Sequence, residues 1–235
     1  MGQTDIVGDS LSVRAKYFRV NSLIICGLFA LSMVSIPLLE FPADSIVFFL
    51  AERFNHNVEL SVPTLYNYFL ILSNLALITL VYLSERAMRT SQAPYWLFLA
   101  AVMFLMSYDE AAQVHERLMD PMRTIVPDTP LLNFPWTPIG VLAALAVGTI
   151  CIPFLRRLPR EVAGLMIVAG AVFVFGAVVV ETIGGWVAYY YDRAHQFFIL
   201  ATIEESCEML GMVVFGYAML LHIARMRPPL RLPLT

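Results

Sequence analysis

Asp109-Glu-Ala-Ala-Gln-Val-His-Glu116 puts three carboxylates and an imidazole within eight residues, at the end of a long apolar run. Glu181 stands alone in a second apolar run, Val178-Val-Val-Glu-Thr-Ile-Gly-Gly-Trp186. Glu204, Glu205 and Glu208 fall within a third. Charged groups at membrane depth are costly and usually functional. Carboxylates joined by one or two imidazoles suit iron or manganese, whereas calcium and magnesium take oxygen alone. Zinc is a poorer match, because its sites favour several His or Cys ligands. The same acids suit a proton or cation path.

Helical spacing decides which of these groups share a face. At about 100° per residue, Asp109, Gln113, Glu116 and Asp120 fall within about 60° of one another, and Glu110 flanks them. On an unbroken helix His115 points away from that face. Glu204 and Glu208 are four residues apart and Glu205 and Glu208 three, so all three are neighbours on one helix surface. No Glu-x-x-His pair, the hallmark of soluble di-iron bundles, occurs in the chain.

The elements that must position these groups are membrane helices. Of the 235 residues, 59% are hydrophobic and 14% charged, against about 25% charged in soluble domains. The mean hydropathy is +0.73. Six runs, about 20–39, 63–84, 94–117, 138–156, 162–191 and 196–223, approach the roughly 20 residues that cross a bilayer. The first run has no small-residue cleavage site after it and is expected to stay as an uncleaved span. Residues 46–51 predict a short interfacial helix, and the proline-rich 119–137 an irregular cover. Trp136 and Trp186 suit an outer aromatic belt and Trp96 an inner one.

Charge orients the bundle. Arg14, Lys16, Arg19, Arg86, Arg89, Arg156, Arg157, Arg160, Arg225, Arg227 and Arg231 flank the runs on one side. Only Arg53, Arg117, Arg123 and Arg193 fall on the other. The positive-inside rule then makes both termini cytoplasmic. Asp109, Glu181 and Glu204–Glu208 come out at similar depth, about 12–18 Å below the outer ends of their spans at 1.5 Å per residue. Seven of the eighteen acids thus gather in the outer half of the membrane. They cannot all ionise there unless cations neutralise them. The inner halves of the spans offer few polar residues, chiefly Asn74, Thr79 and Thr149.

Other functions are excluded or weakly supported. A net charge of −3 gives no footing for nucleic acid. The single lysine, Lys16, precedes the first span, which excludes a retinal Schiff base. Cys26, Cys151 and Cys207 lie in apolar runs without C-x-x-C spacing and read as packing residues. His56, His195 and His222 read as surface or interfacial. A bis-histidine haem would need two His at matching depth, which only His115 and His195 approach.

The patterns D-E-x4-H-E at Asp109–Glu116 and E-E-x2-E-x2-G at Glu204–Gly211 resemble those of uncharacterised bacterial multi-pass membrane proteins. The resemblance covers about half the chain and implies a shared site in a bacterial inner membrane, with no named reaction. The ligand set is loosely similar to that of di-iron carboxylate bundles. The expectation is a single all-α domain over residues 1–235, a bundle of six transmembrane helices. A divalent metal, iron or manganese, would be held by Asp109, Glu110, His115, Glu116, Glu181, Glu204, Glu205 and Glu208. Asp109, Glu116, Glu181, Glu205 and Glu208 are the leading ligand candidates. The chemistry expected is oxidation of a lipid or other apolar substrate. The alternatives are a cation or proton transporter using the same acids, and an accessory subunit of a larger membrane complex or homo-oligomer.

Overall fold

The computed structural model describes residues 3–58, 60–191 and 195–226, with side chains from residue 12 onward. Arg193, Arg227 and Arg231 lie outside the described residues. Among those described the chain is helical throughout, without a strand. Helices are the expected solution, since hydrocarbon offers no partner to a backbone amide or carbonyl.

The chain runs α1 (Gln3–Leu38), α2 (Ile46–Phe54), α3 (Val62–Ala87), α4 (Ala93–Ala112), α5 (Val114–Arg123), α6 (Thr137–Leu155), α7 (Arg160–Val174), α8 (Glu181–Tyr191) and α9 (His195–Arg225). A π-helical segment, Phe175–Val180, joins α7 to α8, and a single 3₁₀ turn lies at Pro130–Leu132. Local sequence sets several starts. Ser45 and Ser61 accept the amides of Phe48 and Thr64 at 3.1 and 3.4 Å. Pro63, Pro94 and Pro138 sit in first turns, where a missing N–H costs nothing.

Five helices are long and apolar enough to cross a membrane, and α4 with α5 makes a sixth if that bent pair is one span. The third apolar run was expected as one straight helix over 94–117. It breaks instead at Gln113, where the chain turns by 75°. The short helix expected at 46–51 forms as α2. Large apolar side chains lie on the outside at mid-helix, among them Phe69, Leu105, Leu142 and Ile167. That surface is the opposite of a soluble domain's and matches lipid contact.

α9 is the central helix and packs on α1, α3, α7, the π segment and α8. Lipid tails are as apolar as leucine, so hydrophobicity does not drive helices together in a membrane. Close packing and buried polar bonds must hold them. Both are present: Met209, Val213, Ala218 and Met219 of α9 are fully buried. Ser32 on α1 bonds Thr202 at 2.9 Å, and Asn74 on α3 donates to the Met212 carbonyl at 2.9 Å. α6 is the least buried span. It is pinned at its second end by Phe154, which stacks on Tyr95 and meets Trp96 edge-on.

Three aromatic or imidazole side chains differ from their expected places. Trp96 is fully buried beside Phe154 and His222 rather than in an interfacial belt. His222 is also buried, 4.9 Å from the Trp96 ring. His56 was expected at the surface but is 2% exposed, in the connection after α2. Neither of its ring nitrogens finds a partner among the described residues.

Burial lowers the His56 pKa from 6.5 to about 4, because a buried imidazole resists charging. The unfolded chain therefore binds the extra proton first. Stability is full above pH 6.5 and falls as pH drops toward about 4, by on the order of 3 kcal/mol at 1.36 kcal/mol per pH unit. His56→Gln should flatten that acid limb. The check is thermal unfolding of both proteins at pH 7 and pH 4.5; an equal loss on acidification in the two proteins would refute it.

Candidate functional site

The site begins where α4 ends. Gln113 takes the left-handed conformation, φ 54° and ψ 44°, and donates its amide to the Asp109 carbonyl at 2.7 Å. A non-glycine residue in that region is strained by about 1–2 kcal/mol. Asp109 offsets this by capping the turn that follows. One carboxylate oxygen accepts the His115 amide at 2.9 Å, and the other meets His115 Nδ1 at 2.8 Å. The break thus swings His115 back onto the acids, which an unbroken helix would have prevented. It also dissolves the single face expected for Asp109, Gln113, Glu116 and Asp120. Gln113→Gly should keep the bend and raise stability by up to about 1 kcal/mol, since glycine adopts this conformation without strain. A variant with a lower melting temperature would show that the Gln113 side chain itself holds the turn.

The second wall is built from distorted helix. The π segment brings Glu181 to the first position of α8, where it is 6% exposed. π turns often mark functional positions, because the extra residue re-aims the side chains after it. Gly184 and Gly185 lie inside a continuous α8. Gly185 receives the cover segment: Phe134 packs against it, and Asn133 donates to its carbonyl at 2.9 Å. This docking places Trp136, whose indole N–H donates to Glu181 Oε1 at 2.6 Å. The Trp136 ring also lies 5.1 Å from that of His115. Trp136 is therefore a member of the site. In the sequence it is indistinguishable from a belt tryptophan.

The third wall is α9. Glu204 interacts with Glu181, Glu205 and Glu208. Glu208 faces Glu110, Glu181 and His115, and Asn67 of α3 lies beside it. Glu181 in turn interacts with Asp109 and Glu116. Pairwise interactions thus link the eight candidate residues, from the buried Glu181 to Glu116, which is exposed. Asn67 was not foreseen. It is fully buried, and neither its oxygen nor its nitrogen makes a hydrogen bond of normal geometry. A lone asparagine in the outer part of an apolar span was its only signal. Among the described residues, no three His, Cys, Asp or Glu side chains are grouped closely enough to hold a metal ion.

His195 lies at the surface, as expected from its place at the start of the last apolar run; its Nε2 pairs with Glu40 at 3.2 Å, which leaves no second imidazole for a haem. The bundle beyond the acids is more polar than expected. Tyr66 donates to Asn21 Oδ1 at 2.6 Å, and Asn21 donates to the Tyr17 carbonyl at 2.7 Å. Tyr17 and Asn74 both crowd against Gly216.

Fold and site together define the class: an all-helical bundle with five or six candidate membrane spans and acids gathered between three of its walls. The chain belongs to the family of DUF8692, a domain of unknown function, whose model matches residues 22–223. No curated protein and no solved structure matches the chain.

Proposed function

We propose that this is a protein of a bacterial inner membrane, with both termini cytoplasmic, that takes up divalent metal at its acid cluster. Charge balance is the observation that carries the reading. Seven carboxylates on α4, α5, α8 and α9 interact through Glu181, Glu204 and Glu208, with the His115 imidazole among them. A crowd of carboxylates away from water must share protons or take up cations.

Two features favour metal over shared protons. Asp109 engages His115 Nδ1 and leaves Nε2 to present, which is how metal-binding imidazoles are oriented. Asn67 adds a fully buried amide beside Glu208, a neutral group that can orient that carboxylate. The donor set, oxygen-rich with one imidazole, fits iron or manganese. Glu181, Glu204, Glu205, Glu208 and His115 would hold the metal once their side chains converge on it, with Glu110 and Glu116 toward the rim. Asp109 then becomes a positioning group more than a ligand.

Iron or manganese held there would supply one-electron redox chemistry, suited to oxidising a lipid or other apolar substrate. Trp136 fixes one oxygen of Glu181, and the sparsely packed face of α6 leaves an approach from the bilayer. Elemental analysis tests the reading. Protein purified from iron- and manganese-replete cells should carry close to stoichiometric metal; folded protein that neither contains nor takes up either metal overturns it.

The polar side chains beyond the cluster support a second reading. Asn67, Asn74, Tyr66, Asn21 and Tyr17 extend from the acids toward the basic end, as a proton or cation path would require. Carboxylate-dependent flux into liposomes would favour transport.

A further inference from the structure

Where α1 ends and α9 begins, the bundle forms a cleft of about 550 Å³, bounded by α2 and the connection after it. Its size suits a small organic molecule, and it shares no residue with the acid cluster. Two of its side chains lack partners. Asn55 is 1% exposed; its Oδ1 accepts the Asn57 amide at 2.8 Å, which fixes the carboxamide, and its Nδ2 has no partner among the described residues. Glu52, three residues earlier in α2, is half-buried, and its carboxylate makes no ion pair among the described residues. Glu40, beyond the end of α1, meets His195 Nε2 at 3.2 Å and so ties that side of the cleft to α9. Phe48 of α2 and Phe198 of α9 supply aromatic walls.

We propose that this cleft binds an organic ammonium ion that carries a carbonyl and an apolar group. Each part of such a ligand answers a group in the cleft. The unpaired Glu52 carboxylate takes the ammonium, and charge-assisted bonds of this kind are the strong ones. Asn55 Nδ2 takes the carbonyl oxygen, since a buried amide left without an acceptor carries a desolvation cost. Phe48 and Phe198 cover the apolar group and favour a cation near their ring faces. The same groups disfavour other ligands. A metal ion gains nothing from aromatic walls, and among the described residues no three His, Cys, Asp or Glu side chains are grouped to hold one. An anion would meet the Glu40 and Glu52 carboxylates. An amine lipid such as phosphatidylethanolamine brings its phosphate to the same place, so a free amine is the better match.

The test uses the full-length protein in uncharged detergent, with N-benzyl-β-alaninamide as the probe. That molecule carries an ammonium, an amide carbonyl and a phenyl ring. At saturation it should raise the melting temperature by several degrees and titrate as one molecule per chain in calorimetry. Its N-acetyl derivative, which has no charge, should bind about tenfold more weakly, and phenylpentylamine, which keeps the charge and lacks the carbonyl, should also bind more weakly. Glu52→Gln should weaken the probe about tenfold, as expected for loss of a charge-assisted bond. It should leave the melting temperature of the ligand-free protein unchanged, because Glu52 has no ion pair to lose among the described residues. Asn55→Ala should erase the preference for the probe over phenylpentylamine. Absence of probe binding, equal binding of the N-acetyl derivative, a larger shift with phosphatidylethanolamine than with the probe, or unchanged affinity in folded Glu52→Gln would each overturn the proposal.

Discussion

Glu208→Ala should leave the purified protein without bound metal. Glu208 stands on the central helix and faces acids from two other walls, Glu110 and Glu181, as well as His115 and the Asn67 amide. Losing a residue that merely supports a metal ligand costs about 10–100-fold in affinity, and losing a ligand costs more. Metal content should therefore fall by at least about tenfold. Glu208→Gln, which keeps the volume and removes the charge, should lose as much, while Asn67→Leu should show the smaller loss. The metal-free proteins should rank the other way in stability. With one acid fewer in a crowded, desolvated group, apo Glu208→Ala should melt higher than apo wild type. Metal content measured alongside apo melting temperature separates a ligand from a packing residue. Unchanged metal in folded Glu208→Ala would remove the central claim.

Gly176→Ala should be the most damaging small change outside the acids. A Cβ there would lie 2.7 Å from the Glu204 carbonyl oxygen and 2.9 Å from Cys207 Cβ. Neither can rotate away, since one is backbone and the other a Cβ fixed to it. α9 must back off from the π segment, at a cost of about 1–3 kcal/mol for overpacking. The shift would move Glu204 away from Glu181, so metal uptake should fall with stability. Gly170→Ala on α7 is the control: nothing lies within 4 Å of its Cβ position. There the gain in helix propensity, close to 1 kcal/mol, should appear unopposed. Melting temperatures that move in opposite directions in the two variants would confirm that contact with α9, and not glycine replacement itself, sets the result. An unaffected Gly176→Ala would mean that the two helices are not tightly joined.

The membrane class and the spans were legible in the sequence because they depend on composition over windows of about 20 residues, which hydrocarbon thickness dictates. Asp109, Glu110, Glu116, Glu181, Glu204, Glu205 and Glu208 stood out as well, because acids rarely sit in apolar runs without a shared purpose. His115 shows where such reasoning stops. Its direction rests on an unbroken helix, and nothing local in Ala-Ala-Gln-Val announces the left-handed Gln113. The turn is stable because Asp109 caps it from four residues before and α5 then departs at 75°. The π segment was equally hidden, since Phe175–Val180 is ordinary apolar helix sequence and its register is set where Gly176 meets α9.

By itself, then, the sequence determined which segments are long and apolar enough to cross a membrane, a consequence of solvation and helical rise. Only the tertiary structure decided which side chains meet. It turned His115 inward, brought Trp136 from the cover onto Glu181, and set Asn67 beside Glu208. It also set Glu52 and Asn55 in one cleft with His195, far away in the chain. Each of these depends on contacts between distant segments and on backbone distortions that such contacts stabilise, and a helical period cannot encode them.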